Sequence, residues 1–136
     1  MGSILIVEAD PVANDQWATA LEEAGHSVIS VHVSREVLPV IREGGIDAVL
    51  IDAYDPRVGI VELSKAIATL PDAPPIALIS SSPAAPELSA RIGAAAFVMK
   101  PCEPSEVVAV ANRLVGDARR VRFVEDDPTI PSRTRF

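Results

Sequence analysis

Five polar side chains in this chain each stand just beyond a short apolar run, and together they could do chemistry. Glu8 and Asp10 follow Ile4-Leu5-Ile6-Val7, Asp52 follows Ala48-Val49-Leu50-Ile51, Ser80 follows Ile76-Ala77-Leu78-Ile79, and Lys100 follows Phe97-Val98-Met99. Continuous apolar runs of this length, bounded by polar residues, read as strands buried on both faces. In open α/β sheets ligands bind beyond the carboxyl ends of the strands, near the point where strand order reverses. One rim would then gather carboxylates, a hydroxyl and an ammonium. With strand order 2-1-3-4-5, strands one and three are neighbours and Glu8 comes next to Asp52, which outlines a divalent-cation site. Mg2+ suits such a set, because it is usually held by one or two carboxylates together with waters and phosphate oxygens. A carboxylate beside it could act as a nucleophile and take up a phosphoryl group, with the metal and Lys100 supplying positive charge and Ser80 a hydrogen bond.

The elements that must position these residues follow from local patterning. After Pro11, apolar or small residues recur at Ala13, Trp17, Leu21 and Ala24 before Gly25, the spacing of one helix face with proline at its start and glycine at its stop. Ser27 to Val31 alternates as a second strand, and Ser34 could cap a helix through Arg42 that Gly44-Gly45 ends. Pro39 sits too deep for a first-turn proline, so that helix should start late or kink. Helices are further expected over Glu62–Leu70, over Pro86–Ile92, and from a cap at Ser105 to about Val115, with strands at Ala48–Ile51, Pro75–Ile79 and Ala95–Met99. Strand and helix alternate five times. The expected architecture is α/β: a five-stranded parallel sheet with helices on both faces, in one domain over 1–116 and with a flexible C-terminal tail over 117–136.

Bulk properties narrow the function classes. Only 4% of residues are aromatic against 49% hydrophobic, so the core must be aliphatic. Residues 1–116 hold 15 acidic and 7 basic side chains, net −8, which argues against nucleic-acid binding by the domain itself. No apolar run approaches the roughly 20 residues of a membrane helix, and no membrane partner is expected. A single cysteine, Cys102, and no leader-like N-terminus point to the cytoplasm. There is no Gly-rich phosphate loop and no aromatic-rich flavin cradle, so a flavodoxin-like enzyme or cofactor binder is poorly supported.

The segments ILIVEADP, AVLIDAYDP, PIALISSS and FVMKPCEP, in this order and spacing, resemble the four strand-end motifs of the response-regulator receiver family of bacterial two-component signalling, over roughly residues 3–116. That resemblance implies a flavodoxin-like fold with order 2-1-3-4-5, a phosphoacceptor role for Asp52, the hydroxyl position for Ser80, and the lysine before the family's proline for Lys100. It also implies that Phe97 is the aromatic switch residue, working with Ser80, that the Tyr54 backbone carbonyl reaches Mg2+, and that Glu8 is the first member of an acidic pair. The partners it implies are a histidine kinase or phosphotransfer protein upstream, in a phosphorelay, and a downstream protein or second copy of the chain. The chain would be a single-domain signalling phosphoprotein and no conventional enzyme.

One position departs from the family pattern: Ala9 stands where the second acid of the pair usually lies. Loss of groups around a metal costs about 10–100-fold in affinity, so Mg2+ binding should be weak unless Asp10 compensates. The alternative function is therefore a pseudo-receiver, an interaction module on the same fold that works without phosphorylation. His26 and His32 read as ordinary polar residues, and Cys102 and Trp17 as packing. In the last helix Val107, Val108, Val110, Ala111, Leu114 and Val115 spread beyond one narrow face, which makes the last strand and helix the candidate partner or homodimer surface.

Overall fold

Five strands form from the five apolar or alternating runs: β1 (Ser3–Val7), β2 (Ser27–Val31), β3 (Ala48–Asp52), β4 (Ile76–Ser80) and β5 (Ala96–Met99). They are seen in a computed structural model that describes residues 2–52 and 59–126, with the backbone alone at 34 and 118–126. All pairings are parallel, as the alternation of elements implied, and the order is β2-β1-β3-β4-β5, as the family resemblance implied. Since β1 and β3 pair from Ile4 with Ala48 to Val7 with Ile51, Glu8 and Asp52 leave the carboxyl rim side by side.

Each strand sends alternate side chains to opposite faces, and in the central strands β1, β3 and β4 both faces are buried, while the edge strand β2 is largely exposed. Ile4, Ile6, Ala48, Leu50, Ala77 and Ile79 pack against α1 (Pro11–Glu23) and α5 (Pro104–Asp126). Leu5, Val7, Val49, Ile51, Ile76 and Leu78 pack beneath α2 (Val37–Arg42), α3 (Ile60–Ala68) and α4 (Ala85–Ile92). Full burial of such a side chain contributes about 1.5–3 kcal/mol. The sheet is therefore the rigid frame from which the rim residues project.

The helix boundaries show which local signals were decisive. Asp10 caps α1, its Oδ1 accepting the Val12 N–H at 3.0 Å, with Pro11 at the first helical position. A 3-10 turn over Ser34–Glu36 precedes α2, so Pro39 falls at the third helical position, where no intrahelical N–H is required. The late start expected from that proline is what occurs. Helix α3 begins at Ile60 and ends at Ala68, shifted two residues toward the N-terminus from the expected span. Ser105 does not cap α5: Pro104 is its first residue, and the Glu106 carboxylate accepts the Glu103 N–H at 2.7 Å, half of a capping box. Helix α5 also continues past Val115 to Asp126, because no glycine or proline interrupts Asp117–Asp126 even though the apolar period is lost there. Residues 127–136 of the expected tail lie outside the described residues. Among the described residues no helix is long and apolar enough to cross a membrane.

Candidate functional site

Lys100 links the rim together. Its backbone N–H donates to the Ser80 carbonyl at 2.9 Å, fastening the end of β5 to β4. Its ammonium donates to Glu8 Oε1 at 2.8 Å and to Asp52 Oδ2 at 2.5 Å. Both carboxylates are deeply buried, at 3% and 5% side-chain exposure, while Lys100 retains 25%. Two carboxylates this close and this dry repel each other unless a cation lies between them. Burial raises the Glu8 pKa, its hydrogen bond with Asp52 raises it further, and the bonds from Lys100 and the Asp10 N–H offset only part of this. Burial pulls the Lys100 pKa down, but hydrogen bonds to Asp52 and then Glu8 outweigh it, so the ammonium is held above its ordinary range. Lys100 stays charged.

Two neighbours complete the immediate surroundings. Ser80 is fully buried and its Oγ accepts the Ser82 N–H at 3.1 Å, which leaves its own proton to donate. The Trp17 ring lies under the lysine, its centroid 5.1 Å from Nζ, within the range of a cation–π contact.

The Glu8 backbone is fixed as firmly as its side chain. Its N–H donates to the Val31 carbonyl at 3.1 Å, and its carbonyl accepts Asn14 Nδ2 at 3.1 Å and His32 Nδ1 at 3.0 Å. A carbonyl only accepts, so His32 carries its proton on Nδ1. Asn14, 2% exposed, also donates to the Val31 carbonyl at 3.3 Å, tying the first turn of α1 to two strand ends. The sequence reading passed over Asn14. Its signal was a polar residue three positions before Trp17, on the stripe of α1 that faces the core.

Of the expected site residues, Glu8, Asp52 and Lys100 meet directly and Ser80 stands beside them. Asp10 does not meet them through its side chain, which caps α1; its backbone N–H reaches Glu8 Oε2 at 3.2 Å. Phe97 is half-buried against the core beneath α2, α3 and α4. Tyr54 lies outside the described residues. Among the described residues no group of three or more His, Cys, Asp or Glu side chains is arranged to hold a metal ion. Glu8 and Asp52 nevertheless offer the one or two carboxylates that a largely hydrated Mg2+ needs, so the donor set fits that ion in its minimal form. On α5, Val107, Ala111, Leu114 and Val115 are buried and Val108 and Val110 are half-buried against the same cluster, while Met99 at the end of β5 is 49% exposed and alternates onto the face of Phe97.

Comparison with known proteins bears on this arrangement. The family model of the response regulator receiver domain matches residues 4–112. The signal receiver domain of a signal transduction histidine kinase from Syntrophus aciditrophicus is 28% identical, with TM-score 0.76 over 88% of this chain and 94% of that one. A CheY-like receiver domain protein from Methanospirillum hungatei, 24% identical, shares the fold with TM-score 0.76 over 88% of this chain and 98% of that one. NtrX from Brucella abortus, crystallised with ADP, shares it at 23% identity and TM-score 0.75 over 92% of this chain, which spans only 29% of NtrX. No curated protein sequence matches the chain.

Proposed function

The chain belongs to the response regulator receiver domain family, which serves two-component signalling, and from that membership we propose that Asp52 accepts a phosphoryl group from a histidine kinase or phosphotransfer protein in the cytoplasm. One observation carries the reading: a buried aspartate at the end of β3 is held by the Lys100 ammonium at 2.5 Å, with a second carboxylate, Glu8, on the same ammonium. In the transfer an Asp52 oxygen attacks phosphorus and the bond from phosphorus to the donor imidazole nitrogen breaks. The imidazole leaves with the electron pair. The negative charge on the transferring oxygens meets Lys100, and the Ser80 hydroxyl donates to one of them. Glu8 and Asp52 would hold Mg2+, weakly for want of an acid at position 9. When bound, the metal supplies further positive charge to the phosphoryl oxygens.

Output would pass through protein contacts, and the exposed part of β5 and α5, with Met99 on the strand and Val108 and Val110 on the helix, is the candidate for a downstream partner or a second copy of the chain. Charge replacement there, Val108→Glu with Val110→Glu, should abolish self-association or partner binding without unfolding; unchanged solution mass and binding would remove that surface from consideration. The phosphorylation itself is tested by incubating the chain with acetyl phosphate and Mg2+ and weighing it by mass spectrometry. One added phosphate is expected in the wild type and none in Asp52→Asn; an adduct that persists in Asp52→Asn sinks the assignment. A second reading, the pseudo-receiver, is favoured by Ala9 and by an ammonium that already satisfies both carboxylates. It is the outcome if the folded wild type takes no phosphate at saturating donor and metal.

A further inference from the structure

We propose that Trp17 is a positioning residue for Lys100, its indole face forming the wall that keeps the ammonium seated between Glu8 and Asp52. A lysine reaches its target on a flexible four-carbon stem, so two hydrogen bonds on one side leave the stem free to swing. The ring supplies the other side. Its centroid is 5.1 Å from Nζ, and Trp17 is 4% exposed within the cluster that holds Leu21, Val107 and Ala111, so it cannot follow the lysine outward. A leucine would keep the apolar stripe of α1 but would offer no ring face to the ammonium. The chain spends its single tryptophan there, in a composition with 4% aromatic residues.

The electrostatics favour the same reading. An indole face attracts an ammonium through its quadrupole, more strongly where water is excluded. A contact of this kind shifts a two-position equilibrium by about 5- to 30-fold toward the seated position. Because phosphoryl oxygens on Asp52 would draw the ammonium toward themselves, the ring also registers where the lysine lies. The kinetic consequence rests on the phosphoacceptor reading of Asp52; the spectroscopic one does not.

The test uses the full chain and three variants: Trp17→Leu, which keeps apolar bulk without a ring, Trp17→Phe, which keeps a ring, and Lys100→Met. With acetyl phosphate as donor, Trp17→Leu should lose about tenfold in the maximal rate of phosphorylation with the half-saturating donor concentration unchanged, and Trp17→Phe should recover to within about threefold of wild type. Tryptophan emission should shift between wild type and Lys100→Met, since a charge about 5 Å from the indole is removed. Equal rates in Trp17→Leu and wild type, or identical emission with and without the lysine charge, would overturn the proposal. Should Trp17→Leu fail to fold, the Trp17→Phe rate and the emission comparison decide. If the wild type accepts no phosphate, the phosphoacceptor reading fails and the emission comparison alone decides the role of Trp17.

Discussion

The two rims of the sheet carry buried polar groups of opposite character. At the amino rim, His26 Nδ1 accepts the Gly2 N–H at 3.1 Å, its Nε2 meets Asn112 Oδ1 at 2.6 Å, and Asp47 Oδ2 accepts the Ser3 N–H at 2.8 Å. These side chains terminate backbone donors at the start of β1 and tie it to α5 and to the segment before β3. Such bonds are structural accounting: a buried N–H left alone costs about 1–3 kcal/mol. At the carboxyl rim the polar side chains instead face one another, two carboxylates and an ammonium whose charges are satisfied only jointly. Burial of a polar group therefore does not mark a site. What marks it is a cluster of charged side chains whose charges are met by one another.

The comparison breaks if the two rims respond alike to mutation, and the largest contrast should come from Lys100→Met. Severing a buried ion pair costs about 3–5 kcal/mol, and with Lys100 one-quarter exposed the loss should be nearer 2–3 kcal/mol in urea unfolding at neutral pH. Phosphorylation should fall by about 100-fold or more, the scale of removing one electrostatic stabiliser. A variant as stable and as reactive as wild type would refute the account of the carboxyl rim. His26→Ala should behave in the opposite way, losing about 2 kcal/mol of stability by orphaning the Gly2 N–H while keeping its phosphorylation rate within about twofold. A rate change comparable to that of Lys100→Met would mean that the rims are coupled and the contrast is false.

Smaller effects sharpen the picture. Ala9 is exposed, so Ala9→Asp adds a carboxylate without disturbing the packing, and calorimetry should find Mg2+ bound about 10-fold more tightly, or about 1.4 kcal/mol. Unchanged affinity would shift the blame from the missing acid to the ammonium already in place. The smallest effect is one of pH. Glu8 has its pKa raised above 4.5 by folding, so the stability this confers is complete below 4.5 and disappears as pH rises through the raised value. Glu8→Gln, which does not titrate, should therefore gain on wild type as pH rises from 4.5 toward neutrality. A stability difference that stays flat over that range would contradict the burial-driven shift.

Much of the molecule could be read from local pattern. Runs such as Ile4–Val7 and Ala48–Ile51 are apolar at every position, which only a strand covered on both faces explains, and their alternation with helices dictates a parallel sheet. Once that sheet is granted, Glu8, Asp52, Ser80 and Lys100 must share a rim, because each is the residue at which an apolar run stops. Side-chain direction beyond the strand ends was not legible in the same way. Asp10, two residues after Glu8 along the chain, turned away to cap α1, since the chain had already left the strand's twofold alternation at Ala9. Trp17 reads as one more position on a helix stripe and Asn14 carries no apolar signal of that kind, and only the packing of α1 against β1 and α5 brought the indole beneath an ammonium 83 positions away and the amide onto the Glu8 carbonyl. The sequence by itself determined the strands, their parallel direction and the four residues at their ends, because those depend on periodicity and on the alternation of elements, while the order of the strands followed only from the family resemblance of the four motifs. The tertiary structure decided which groups touch, because a contact between residues far apart in the chain depends on the angle and depth at which two elements pack, and no local period records either.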